Sequence, residues 1–305
     1  MRKLLLVDGS NLLFQMFYGM PSRIMNNEGK PVHGVLGFVG ALLKIIRMVE
    51  PSHVAVLFDG ECANERSGLV EEYKANRPDY SQVEDCDNPY SQLEDIYAAL
   101  DYLGIRHAET TCCEVDDWMA GYAYTYGAAV EQTSKIQTII NNKSTENYLN
   151  DKVNVEIVIS SFDSDFFQLI TDNVSVLRYR GKNTVICTPD FVRDKFGIDP
   201  QQYADFKAMV GDSADNVKGA PKIGPKTAVS LLCQFGTLDE ILANVEQISK
   251  PSIRQSLIDN ADRLRVNYRI IKLTDSSFLP FSLEQLSYNL PDGTTTRSVL
   301  QAIEL

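Results

Sequence analysis

Glu114, Asp116 and Asp117 fall in one four-residue window of "CCEVDDWMAG", directly before Trp118 and Met119. Carboxylates this close raise one another's pKa and cannot all stay ionised in a cleft without counter-charge. Hard divalent cations, which take oxygen ligands, supply it, and Mg²⁺ or Mn²⁺ suits an all-carboxylate site. Trp118 and Met119 then read as the core-facing side of the helix that presents the acids. The same residue type recurs behind short apolar runs. "KLLLV" (3–7) leads into Asp8, "HVAVLF" (53–58) into Asp59, and "VEIVIS" (155–160) into "SFDSD" with Asp163 and Asp165. "MVGDSADN" (209–216) adds Asp212 and Asp215, three apart and expected on one face of a helical turn. A single aspartate after a strand is commonly a turn residue or a helix cap. Its recurrence after three strands, with "EVDD" besides, favours one shared site.

The elements that must position these acids are legible as alternating runs. Val-, Ile- and Leu-rich segments at 3–7, 53–58 and 155–160 have the continuous apolar character of buried parallel strands. Helical periodicity separates them at 34–49, 90–104 and 115–126. The expectation is an α/β fold with a mostly parallel central sheet and flanking crossover helices. In such sheets ligands gather beyond the carboxyl ends of the strands, where all three strand-end acids are delivered. Beyond about residue 190 the pattern changes to short helices and turns. We therefore expect an α/β core over 1–188 and a helical subdomain over 189–305. The polar stretch "NNKSTENYLNDK" (141–152) reads as a surface excursion.

Composition sets the outer bounds. A 305-residue chain with 44% hydrophobic residues can bury a sizeable core. "MRKLLLVDGS" is too short in its apolar run for a signal peptide, and no run approaches a membrane span. Six cysteines show no CxxC or zinc spacing, so reduced thiols and a cytoplasmic location are expected. Three histidines supply a His-based metal site or a Ser-His triad poorly. A net charge of −12 taken alone argues against nucleic acid. Setting aside the nine clustered acids, however, leaves acids and bases close to balance, and bound divalent ions would return positive charge.

Six segments together resemble the 5′-nuclease superfamily: "LLLVDGSNLLF", "FDGE", "EEYKANRPDY", "EVDDWMAG", "SSFDSDFFQLITD" and "MVGDSADNVKGAPKIGPKTAVSLLCQFGTLDEIL". They stand in the family's order over about residues 1–273. The family includes the 5′→3′ exonuclease domain of bacterial DNA polymerase I and stand-alone phage-type flap endonucleases. No polymerase region is expected here, and the chain is expected to be a monomer. The resemblance implies a PIN-like core, a helix–hairpin–helix-type element and a two-metal carboxylate site. One metal group would centre on Asp8, Asp59, Glu114 and Asp116. The other would draw on Asp117, Asp163, Asp165, Asp212 and Asp215.

The resemblance also gives roles outside the acids. Lys74 and Arg77 fall on the gateway positions that hold the scissile phosphate, and their spacing would point both one way on a helical segment. Tyr73 is a candidate to stack on a terminal base. The segment over about 66–95 matches the arch beneath which single strands pass, although "PDYSQVEDCDNPY" is acidic. Asp163-Ser164-Asp165 departs from the Asp-Lys-Asp usual in the polymerase-linked branch, which removes a positive charge. "GAPKIGPKTA" (219–228) nearly spells a P-loop, but Pro225 interrupts it and no apolar strand precedes it. It reads as a glycine hairpin with Gly219 and Gly224, feeding a helix at Lys226 and Thr227. Backbone N–H groups there would grip duplex phosphates without reading sequence. In the family this element often holds K⁺ by backbone oxygens. The implied activity is Mg²⁺-dependent cleavage of branched, nicked or 5′-ended DNA, RNA-primed strands included. A non-cleaving DNA-structure binder of the same fold is the alternative, and a small-molecule phosphatase would have little use for the hairpin or the basic pair.

Overall fold

The computed structural model describes residues 2–60, 68, 70, 72–75, 78, 80, 83–111, 113–127, 155–274 and 278–305. Arg77, the 141–152 excursion and much of the arch segment lie outside the described residues.

The first apolar run forms strand β1 (Arg2–Asp8), with Leu4 to Val7 wholly buried. A strand apolar on both faces needs cover on both faces, and β1 has it. Leu4 and Leu6 pack into one core with Trp118, Met119 and Phe166, while Leu5 and Val7 pack into the other with Phe38 and Leu42. The strands β2 (His53–Phe58), β3 (Arg106–Glu109), β4 (Val155–Ser160), β5 (Val174–Arg178) and β6 (Val185–Cys187) complete a sheet of order β3-β2-β1-β4-β5-β6. All pairings are parallel except β5 with β6. The register sets Val7 of β1 beside Val56 of β2 and Ser160 of β4. The chain leaves β1 toward β2 on one side and meets β4 on the other. The crevice at that switch point therefore opens above the ends of β1, β2 and β4.

Helices α1 (Gly9–Gly19), α2 (His33–Val49) and α3 (Leu93–Leu103) cover one face. Helix α4 (Val115–Tyr126) covers the other, and its buried side joins the helices that follow the sheet. These are α5 (Pro189–Phe196), α6 (Tyr203–Val210), α7 (Pro225–Phe235), α8 (Leu238–Ala243) and α9 (Pro251–Ile271). A short hairpin of β7 (Gly211–Asp212) and β8 (Val217–Lys218) links α6 to α7. The last helix, α10 (Thr296–Ala302), returns to the first layer, where Val299 is buried in the core with Phe38 and Leu42. Among the described residues no helix is long and apolar enough to cross a membrane. Cys86, Cys187 and Cys233 are free thiols.

Candidate metal centre and nucleic-acid interface

Each strand-end acid is fixed by the turn that follows its strand. Asp8 ends β1 and caps α1: its Oδ1 accepts from the Asn11 N–H at 2.9 Å and its Oδ2 from the Ser161 hydroxyl at 2.8 Å. Asp59 follows β2, and its N–H donates to Ser10 Oγ at 2.9 Å. Its Oδ1 accepts from the Val115 N–H at 3.0 Å, so Asp59 caps α4 from a neighbouring strand. That leaves Glu114, the residue in the N-cap position, free to turn inward, where it is buried. Asp163 takes an N–H···O bond from its own backbone to Ser161 Oγ at 3.0 Å. Asp8, Asp59, Asp116 and Asp163 line one cavity of about 400 Å³, together with Ser10, Asn11, Lys74, Phe14, Tyr80 and Tyr90.

The electrostatics of that cavity follow from burial. Loss of solvent, and then the charge of Asp59, push the Asp8 carboxyl up to about 7. Asp116 is raised well above the ordinary carboxylate range by burial first and then by Asp163, Asp59 and Asp8. Buried acids in mutual repulsion crowd oxygen donors into a small space, where a shared cation relieves them. The donor set fits hard divalent ions.

A second group lies alongside. Asp165, Asp212 and Asp215 each bring an oxygen within 4.8 Å of the others. The sequence placed Asp212 and Asp215 on a helical turn. They lie instead at the start and in the turn of the β7–β8 hairpin, where the Ala214 N–H bonds Asp212 Oδ1 at 3.0 Å. Asp163 joins the first cavity rather than this group alone, and its Oδ1 accepts from the Asp165 N–H at 2.8 Å, linking the two. Asp117 is not among the cavity-lining residues, and its Oδ1 accepts from the Thr274 N–H and hydroxyl at 3.3 Å.

The gateway segment departs from expectation. Residues 72–75 form a turn, not a helical face, and Lys74 has φ +55°. The turn is pinned to the hairpin by the Lys74 N–H on the Asp215 carbonyl at 3.2 Å and by Asn216 Nδ2 on the Glu72 carbonyl at 2.9 Å. Lys74 lines the cavity with its ammonium paired to Glu114. Tyr73 is only 7% exposed, with its ring in the core and its hydroxyl toward Glu114 at 3.3 Å. A ring so enclosed presents no stacking face in this conformation, which corrects the base-stacking assignment. Phe14, Tyr80 and Tyr90 form the aromatic wall of the cavity instead, with ring centroids 5.4–5.7 Å apart and edge-on.

The glycine hairpin leads, as the sequence implied, into a helix. Gly224 occupies the N-cap of α7 and Pro225 its first position, followed by Lys226 and Thr227. The Thr227 N–H is already bonded to the Gly224 carbonyl at 3.0 Å. Gly219 serves a close approach: a Cβ there would overlap the Val210 carbonyl. Lys218, Lys222 and Lys226 are all exposed on this segment, and none makes an ion pair among the described residues.

Comparison with known proteins agrees with this geometry. Residues 3–197 match the family model of the 5′-3′ exonuclease N-terminal resolvase-like domain, and residues 198–294 that of the 5′-3′ exonuclease C-terminal SAM fold. The chain belongs to the 5′-3′ exonuclease family. It is 28% identical over 306 residues to a 5′-3′ exonuclease of Aquifex aeolicus, covering 100% of this chain and 93% of that protein. It is 30% identical over 302 residues to the thermostable DNA polymerase I of Thermus thermophilus, covering 99% of this chain. The chain spans about a third of the length of that polymerase, 32%. The bacteriophage T5 flap endonuclease, solved as a pseudo-enzyme-product complex with DNA and metal ions, superposes with TM-score 0.68 at 20% identity over the whole of both chains. The catalytic core of Rad2 with DNA substrate gives 0.58 at 15% identity, covering 99% of this chain and 88% of that one. At those identities the likeness is one of fold.

Within this exonuclease-family fold the sequence reading missed the residues that hold the acids in place. Ser10, Asn11 and Ser161 sit in the quoted motifs but carry no charge, so only their hydrogen bonds reveal them. Lys207 on α6 was also missed, although a lysine inside the apolar run "YADFKAMV" is a visible signal. It is 7% exposed, and its ammonium bonds both Asp165 and Asp212.

Proposed function

We propose that this protein is a Mg²⁺-dependent structure-specific 5′-nuclease, acting as a 5′→3′ exonuclease and flap endonuclease on branched, nicked or 5′-ended DNA. The observation that carries the reading is the convergence of Asp8, Asp59, Asp116 and Asp163 on one cavity, with the Asp165, Asp212 and Asp215 group linked to it through Asp163. Two divalent ions held by these groups would supply charge stabilisation to the entering and leaving oxygens of an in-line phosphodiester displacement.

The chain's own residues do the rest. Asn11, Ser161 and Ser10 orient Asp8 and the Asp59 backbone, so the carboxylates keep their places without moving during the reaction. Lys74 faces the same cavity and would leave Glu114 to meet the scissile phosphate, and Arg77 would share the gateway role. The aromatic wall of Phe14, Tyr80 and Tyr90 offers apolar faces to an unpaired base. The hairpin from Gly219 to Thr227, with Lys218, Lys222 and Lys226, would hold duplex phosphates, with K⁺ at its backbone oxygens. Mn²⁺ would replace Mg²⁺ at the acids, Asp117 included as an outer contributor. We place the activity in the cytoplasm, on replication and repair intermediates with DNA or RNA-primed 5′ ends.

A 5′-labelled flap duplex incubated with and without Mg²⁺ tests this. Cleavage near the flap junction only with Mg²⁺ is expected. Tight, structure-selective binding with no product under any divalent ion would turn the reading to a non-cleaving binder.

A further inference from the structure

Lys207 is a charged side chain in an apolar setting, and its position is specific. Its ammonium bonds Asp165 and Asp212, two of the three acids whose oxygens converge within 4.8 Å. An ion pair this enclosed gains little net stability over well-packed apolar side chains, because both charges lose their hydration. A purely structural pairing therefore has no obvious reason to stand inside a cation site. An ammonium is a compact point charge on a flexible four-carbon stem. It bonds two carboxylates at once, offsetting half of the charge that a divalent ion would offset in full, and it can withdraw by changing rotamers. The helix that carries it is not the moving part. Asn267 Nδ2 on α9 ties the Ala208 carbonyl at 3.0 Å and the Lys218 carbonyl at 2.9 Å, which locks α6 and the hairpin together.

We propose that Lys207 is a place-holder for the second divalent cation: it bridges Asp165 and Asp212 in the metal-free protein and gives up their oxygens when the cation binds. This inference rests on the two-metal reading above. An ammonium held on both acids repels an arriving cation and crowds the oxygens it would take, so the ammonium and the metal compete. Lys207 thus keeps the acids close together while the site waits and lowers the affinity of the ion that arrives. The first group differs, since its lysine, Lys74, sits on a turn that lines the cavity and pairs with Glu114.

The test is Mn²⁺ titrated by calorimetry into the DNA-free protein, alongside thermal unfolding in EDTA and in Mn²⁺. Lys207→Met should bind one Mn²⁺ equivalent about tenfold or more tightly than wild type, because a like charge has left the site. Its melting temperature should fall in EDTA and recover more on Mn²⁺ addition than that of wild type. Lys207→Arg, which keeps the charge, should stay close to wild type in Mn²⁺ affinity. Should Lys207→Met fail to fold without metal, Lys207→Gln carries the same comparison. Unchanged or weaker Mn²⁺ affinity, with the same loss of melting temperature in both conditions, would make Lys207 a plain structural ion pair and overturn this inference alone. Absence of Mn²⁺ binding by wild type would overturn the two-metal reading and this inference with it.

Discussion

Asp8 carries the clearest consequence of burying an acid among acids. Its folded-state pKa, pushed up to about 7 by burial and then by Asp59, stands above the ordinary carboxylate value of about 3.9. Between those values the folded protein keeps a proton that the unfolded chain releases. Stability from this group is therefore fullest below the ordinary value and is lost as pH rises through about 7. Asp165, also pushed up to about 7 by burial against the opposing charge of Lys207, acts in the same direction. In EDTA the melting temperature should fall from about pH 5 to about pH 8, and Asp8→Asn should flatten part of that fall. A rise across this window, identical in the variant, would show that the Asp8 carboxyl is not destabilised by burial. Asp116→Asn should abolish flap cleavage yet melt no lower than wild type in EDTA, since it relieves repulsion. Near-normal turnover would remove Asp116 from the metal site. Lys74 and Lys226 separate chemistry from grip. Lys74→Ala should slow single-turnover cleavage by roughly two orders of magnitude, the scale for one lost preorganised contact, with little change in affinity. Lys226→Ala should raise the dissociation constant and leave the saturated rate nearly intact. A Lys74→Ala variant weakened in binding alone would return Lys74 to a plain basic face.

At the scale of elements, Gly219 and Gly224 look equivalent in "GAPKIGPKTA", but their surroundings differ. A side chain at Gly219 would overlap the Val210 and Met209 backbone, whereas at Gly224 nothing lies within 4 Å. Gly224 also has φ −90°, which any residue adopts. Gly219→Ala should therefore cost roughly 1–3 kcal/mol in urea unfolding and weaken duplex binding, because the β7–β8 junction must shift. Gly224→Ala should cost less, roughly 0.5–1 kcal/mol, as alanine is a poorer cap than glycine. Equal losses at the two positions would show that the hairpin does not depend on the close approach at Gly219. The same logic explains α4. Asp59 caps it from β2, so the acid that anchors the helix and the acids that the helix presents are set by one contact.

Across the whole molecule, charge is sorted by place. The chain has a net charge of −12, yet many of its acids are concentrated where the strands end, while Lys218, Lys222 and Lys226 line the hairpin. Binding and cleavage should then separate. Duplex affinity should persist in EDTA, weakened but measurable, while cleavage stops. It should fall steeply with salt, because neutralised phosphates release counterions. Affinity measured by anisotropy that did not change with salt would rule out the phosphate grip.

The strand-end acids were legible in the sequence for a physical reason. In a parallel sheet all strands share one direction, so the residue after each apolar run lands on the same edge. Asp8, Asp59 and Asp163 therefore needed no tertiary information to be grouped, and "EVDD" joined them by its helix start. Periodicity likewise marked 53–58, 115–126 and 155–160, which the structure keeps as β2, α4 and β4. What periodicity cannot carry is the meeting of side chains from elements far apart in the chain. Tyr73 reads as an exposed aromatic beside two basic residues, but contacts with residues 215 and 216 fold its ring into the core. Asp117 stands next to Asp116 in sequence, yet helical geometry turns it to Thr274 and away from the cavity lining. Lys207 shows the same limit most sharply, because a buried charge declares itself only through partners supplied by β4's following turn and by the β7–β8 hairpin. The sequence alone determined which edge of the sheet holds the acids, through strand direction. Only the tertiary structure decided which acids face one another and which cations stand among them, since that depends on how α6, the hairpin and the 72–75 turn pack.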